Sequence, residues 1–157
     1  MGIQLNLGDH RSRNPDFISI PRENVADAKW ARIQAIAIAN SRPSANVYFR
    51  SLPGHRSLSS LLADRSIWVN YWVGFTVEGG AFTLDGISDI GLSYWAFRHG
   101  RRYVLSTLIH ELAHVDGAPD NTTQAEDALV HCGLGTLAEM RTGIDDPSTP
   151  YIPGHHG

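Results

Sequence analysis

The sequence predicts an α+β fold, with an N-terminal helix and a small antiparallel or mixed sheet packed on a second helix. Three patterns carry that expectation. Apolar residues recur at helical spacing over 21–42 and again over 101–116, and they alternate along 67–77. A chain of 157 residues is the size of one domain and long enough to bury a core. Hydrophobic residues at 42% and charged residues at 18% exclude a largely disordered chain.

Residues 1–18 are polar around Gly8-Asp9-His10-Arg11-Ser12-Arg13-Asn14-Pro15 and read as an irregular N-terminal arm, leaving 19–157 as a single domain. Pro21 opens the first helix and Pro43 cannot continue it; Val25, Ile33, Ile36 and Ala37 form its apolar stripe. Residues 43–56, with Pro43, Pro53 and Gly54, read as mostly loop. Ser57 is placed to cap a short helix over 58–65. Next, Ile67, Val69, Tyr71, Val73, Phe75 and Val77 take every second position, which predicts a strand with one apolar face. Glu78-Gly79-Gly80 and Asp85-Gly86 are turn signals, so 81–84 and 87–96 read as further antiparallel strands. The Trp and Tyr side chains here serve a core more cheaply than an aromatic ligand cage. The second strong helix covers 101–116 and ends at Gly117, a left-handed terminator, with Pro119 beyond. A third helix is expected over 123–132, broken by Gly133 and Gly135, then a helical piece at 136–141 and an irregular tail.

Charge and cysteine usage narrow the chemistry. Thirteen Lys and Arg against 16 Asp and Glu give a net charge of -3, a poor match for nucleic acid. The single cysteine, Cys132, excludes an internal disulfide and a multi-cysteine metal site. A metal would have to be held by carboxylates and some of the eight histidines. No segment approaches the ~18 apolar residues that span a bilayer, so no membrane partner is expected. The first residues have no charged or apolar leader pattern, and Asn6 breaks a myristoylation pattern, so no signal peptide is expected.

The second helix carries His110-Glu111-Leu112-Ala113-His114, the H-E-x-x-H pattern. Residues four apart share one helix face, so both imidazoles can reach one ion. Glu111 stands one residue round, beside the metal, as the general base and then acid. The spacing leaves the third ligand open between Asp120, six residues after His114, and Glu126, twelve after it on the next helix. Asp127 and His131 are lesser candidates. Each has a plainer use: Asp120 in a turn with Asn121, Glu126 in a capping box with Thr123, His131 at a helix C-terminus.

Leu108-Ile109-His110-Glu111-Leu112-Ala113-His114-Val115 resembles the active-site helix of zincin metallopeptidases. With Gly117-Ala118-Pro119, Ala125-Glu126 and Cys132-Gly133-Leu134, the chain is similar to small peptidase domains of bacterial polymorphic toxins and secretion-system effectors. The resemblance covers about residues 88–135. It implies a zincin-like fold, zinc as cofactor on His110 and His114, and Glu126 as third ligand. The G-x-x-D spacing also resembles metzincins and aspzincins, which keeps Asp120 as the alternative. The metzincin third histidine is absent, and Thr122-Thr123 stands where many aspzincins have Tyr-Gly. Tyr103 and His131, with His99 and Tyr151 behind them, are candidates to stabilise the transition state. The resemblance further implies a peptide or protein substrate paired along an edge strand near 87–96, a cognate immunity protein, and cytoplasmic synthesis followed by specialised secretion. Two other readings use the same residues: a zinc-stabilised interaction module without turnover, and a cell-wall peptide hydrolase.

Overall fold

The computed structural model describes residues 2–73 and 79–134. Among these, the chain is a mixed α+β fold built on one contiguous core that runs from Ile3 to Leu134. In chain order come β1 (Gln4–Leu5), β2 (Phe17–Ile18), α1 (Val25–Ser41), α2 (Pro43–Ser51), α3 (Leu58–Leu62), β3 (Ile67–Trp72), β4 (Gly79–Leu84), β5 (Ile87–Ser93), α4 (Tyr94–Arg98), α5 (Arg101–Val115) and α6 (Gln124–His131). No described helix is long and apolar enough to cross a membrane. The expected end of the first strand at 74–77, the helical piece at 136–141, Tyr151 and the tail lie outside the described residues.

The sheet runs β1-β3-β5-β4, with β2 also paired to β3. It is mixed: β3 is parallel to β1 and β5, whereas β2 and β4 run antiparallel to their partners. The β4–β5 hairpin closes on Asp85 and Gly86, both at positive φ (54° and 75°), as a tight two-residue turn requires. Ile67 and Val69 of β3 and Ile90 and Leu92 of β5 are buried on the face that meets the helices.

Four expectations are corrected. First, residues 1–18 are not a loose arm. β1 and β2 join the sheet, and the chain between them crosses its outer face. The His10 ring stacks on Trp68 (4.1 Å between centroids), and Phe17 meets Trp72 edge-on. Gly91 makes this cover possible, because a Cβ there would lie 2.4 Å from the Phe17 ring. A buried polar line fastens the segment. His10 Nε2 donates to Asp89 Oδ1 (2.7 Å), Asn70 Nδ2 to the same oxygen (2.9 Å), and Asn6 Nδ2 to Asn70 Oδ1 (2.8 Å). These pairings span 64 to 79 residues of sequence in the case of Asn6–Asn70 and His10–Asp89, so local periodicity carries no trace of them.

Second, α1 buries Ala28, Ala31, Ala35 and Ala39, while Ile33 is 60% exposed. Small side chains let α1 approach α5 closely, which larger isoleucines would prevent. Third, residues 43–51 are helix, not loop. Pro43 sits in the first turn, where its missing N–H costs nothing, so it opens α2 as well as closing α1. Fourth, β5 stops at Ser93, whose hydroxyl caps α4 by accepting from Ala96 N (3.3 Å). β5 also lies between β3 and β4. It is an interior strand and cannot offer an edge to a peptide; the outer strand on that side is β4.

The short helix predicted after Ser57 is present as α3, with Ser57 Oγ accepting from Ser60 N (3.0 Å). The helices predicted at 101–116 and 123–132 are α5 and α6.

Candidate metal centre

The site is built on α5, buried continuously from Tyr103 to Ala113. Its apolar residues Val104, Leu105, Leu108, Ile109 and Leu112 fix the helix in the core and so fix the direction of the rest. The C-terminal stop completes the geometry. Gly117 takes φ +90°, Gly117 N donates to His114 O (2.9 Å), and Ala118 N donates to Ala113 O (2.9 Å). This is the paired hydrogen-bond pattern of a helix closed by a left-handed glycine. The turn brings the Ala118 carbonyl back to His114, whose Nδ1 donates to it at 2.8 Å.

That bond sets the protonation of the ring. A carbonyl only accepts, so the hydrogen is on Nδ1 and Nε2 presents a lone pair. In His110, Nδ1 lies 3.2 Å from Glu126 Oε1, and a carboxylate likewise calls for the hydrogen on that nitrogen. The two Nε2 atoms then face each other at 3.0 Å. At that separation the two nitrogens can share a proton in a hydrogen bond or take up a cation between them. Zinc with tetrahedral bonds of ~2.0–2.1 Å holds its ligand nitrogens ~3.3 Å apart. The pair therefore stands a few tenths of an ångström from the spacing of two ligands on one ion.

The carboxylates take other positions. Glu126 is buried and meets His110 at its outer nitrogen, the place of a group that orients a metal-bound imidazole. Glu126 does not serve the capping box: Thr123 Oγ1 donates instead to Asp127 Oδ2 (3.1 Å). Asp120 is 88% exposed, with Oδ1 3.6 Å from the outer nitrogen of His114. Among the described residues no group of three His, Cys, Asp or Glu side chains is gathered as a ready metal site. Two histidine nitrogens stand close enough to share one ion, with no third ligand gathered beside them among the described residues.

His110, His114, Ala125 and Glu126 line a cleft of about 680 Å³ together with the loop Asp120–Thr123. That volume suits a small ligand or a few residues of peptide. Glu111 is buried beside β4. A Cβ added at Gly79 would come within 3.3 Å of Glu111 Cγ and 2.7 Å of Thr107 Cγ2, so only glycine lets the outer strand run directly over the helix here.

The remaining described candidates do not line this cleft. Tyr103 is buried two turns before His110, with its ring 5.1 Å from that of His99, which in turn sits 4.6 Å from Trp95. His131 stacks on Tyr48 (4.4 Å), whose hydroxyl donates to Gln124 O (2.6 Å). Burial, with Asp127 nearby, pushes that Tyr48 hydroxyl up to about 12. Tyr151 lies outside the described residues.

Sequence reasoning missed two contributors. The Ala118 carbonyl is foreshadowed only by the glycine three residues after His114, which permits the returning turn. Gly79 reads as a turn signal in the sequence, and nothing local distinguishes that use from close strand–helix contact. Comparison with protein-family models, with curated proteins and with solved structures finds no match for this chain.

Proposed function

We propose that the chain is a zinc-dependent peptidase with a zincin-like fold. The observation that carries the reading is the pair of facing Nε2 atoms, 3.0 Å apart, with each outer nitrogen tied to an acceptor.

In this reading His110 and His114 hold the ion, and Glu126 either completes the set or steadies His110. The chemistry that zinc contributes in such a site is polarisation of a carbonyl and acidification of a water from ~15.7 towards 7. The protein supplies the rest. Glu111 accepts the proton of the attacking water at its carboxylate and returns it to the departing amine nitrogen. Ala118 O keeps the His114 ring in one tautomer. Peptide binding is assigned to β4, which among the described residues pairs only with β5 and passes over Glu111. Main-chain pairing along that strand gives affinity with modest sequence demand. The toxin or effector role rests on the sequence resemblance over about residues 88–135 alone.

The test is Glu111→Gln assayed on casein and on a peptide library. Hydrolysis is expected to fall by about 10²–10⁴-fold, the usual worth of a general base, while bound zinc stays at the wild-type level. Undiminished hydrolysis by this variant overturns the reading.

A further inference from the structure

The isoleucines that α1 does not bury have a second use. Lys29, Arg32, Ile33, Ile36 and Asn40 fall at i, i+3, i+4, i+7 and i+11, a stripe adjoining the buried alanines. This stripe walls two cavities of about 420 and 220 Å³ that share Gly2 and Ile36 and so form one groove. The opposite wall is β1, the outermost strand on that side of the sheet, along the larger cavity, and Ser59 and Leu62 of α3 along the smaller. Ile33 is 60% exposed and Leu7 52%, so the groove is apolar as well as open.

Its charge is one-sided. Lys29, Arg32 and Arg65 all line the larger cavity. None of the three is in an ion pair among the described residues, on a chain whose net charge is -3. Arg32 is held in place, its Nη1 donating to Ile3 O (3.3 Å), which leaves its charge without a carboxylate among the described residues. We infer that this groove docks an extended segment of a partner protein that carries both aliphatic and acidic side chains. The aliphatic groups pack on Ile33 and Ile36, and the carboxylates meet Lys29, Arg32 and Arg65. The stripe from 29 to 40 is about 17 Å long at 1.5 Å per residue, which matches about five residues of extended chain. A concave, strand-edged groove suits such a segment better than a flat lipid surface.

The experiment is fluorescence anisotropy on the whole chain, with two labelled peptides of about seven residues. One alternates glutamate with leucine; the other has lysine in place of glutamate. Saturable binding of the acidic peptide is expected, weakening with salt, with none for the lysine peptide. Lys29→Glu with Arg65→Glu, and separately Ile33→Ser, should each raise its Kd by about tenfold or more. Circular dichroism checks that these exposed substitutions leave the fold intact, and the salt response of the wild type tests the proposal even if one does not. The proposal fails if the acidic peptide does not bind, if both peptides bind alike, or if the substitutions change nothing. It fails equally if they abolish binding to phosphatidylserine vesicles, or dissociate a wild-type dimer, while leaving peptide binding untouched.

Discussion

Among the described residues, two places set a histidine beside a buried carboxylate, and they differ in what is left over. On the outer face of the sheet, Asp89 Oδ1 takes hydrogens from His10 and Asn70, and Asn70 takes one from Asn6. The line runs inward, and the His10 ring is covered by Trp68. On α5, Glu126 and Ala118 O engage the outer nitrogens, and the inner nitrogens of His110 and His114 turn towards each other at the cleft. The same residue types serve as a fastening in one place and as a candidate ligand pair in the other. Residue type alone cannot tell them apart; the direction of the remaining lone pair does.

Breaking the fastening should cost the most in stability. Asp89→Ala leaves His10 Nε2 without its acceptor, at about 1–3 kcal/mol, while Asn70 Nδ2 keeps Ile90 O (3.3 Å) and Trp68 O (3.5 Å). We expect a loss of about 2 kcal/mol in urea unfolding, with zinc uptake unchanged. A stable variant would show that the outer line does not hold the segment down.

Glu126→Gln sharpens the other side. If Glu126 orients His110, zinc affinity should weaken by about 10–100-fold, since outer partners of ligating histidines have that effect. Loss of all measurable binding instead makes it the third ligand. Competition with a chromogenic chelator separates these outcomes, and unchanged affinity assigns it neither role.

Asp116 is an intermediate case, and its effect is confined to one span of pH. Its Oδ1 accepts from Arg56 N (3.2 Å), while its Oδ2 is buried without a hydrogen-bond partner among the described residues. Burial pushes its carboxyl up to about 6, although the Arg56 N–H and charge pull the other way. A raised folded-state value means that the group favours folding at low pH. That contribution is fully present below about 4, the ordinary aspartate range, and lost as pH rises through about 6. Asp116→Asn should flatten this part of the stability profile between pH 4 and 7, measured by urea unfolding. An unchanged slope contradicts the burial argument.

What the sequence could disclose follows the range of the interactions involved. The α5 helix, its Gly117 stop, the Ser57 cap and the Asp85-Gly86 turn depend on neighbours within a few residues, and all are legible in the chain. The pairing of His10 with Asp89, 79 residues apart, is not. Nor is the interior position of β5, because a parallel partner such as β3 leaves no local mark. The buried face of α1 misleads for another reason: hydrophobicity marks the isoleucines, but close helix packing selects the alanines. At the candidate site the histidines and Glu111 are legible from spacing. The use of Glu126 depends on which ring nitrogen it meets, and only three-dimensional placement decides that.

If His110 and His114 share one cation, metal-free protein titrated with zinc and followed by calorimetry and thermal unfolding should take up about one equivalent, with stabilisation of about 4 kcal/mol when free zinc reaches about a thousand times Kd. Both effects should vanish in His110→Ala and His114→Ala and persist in Asp89→Ala. Absence of uptake, or uptake that survives both histidine substitutions, contradicts the claim.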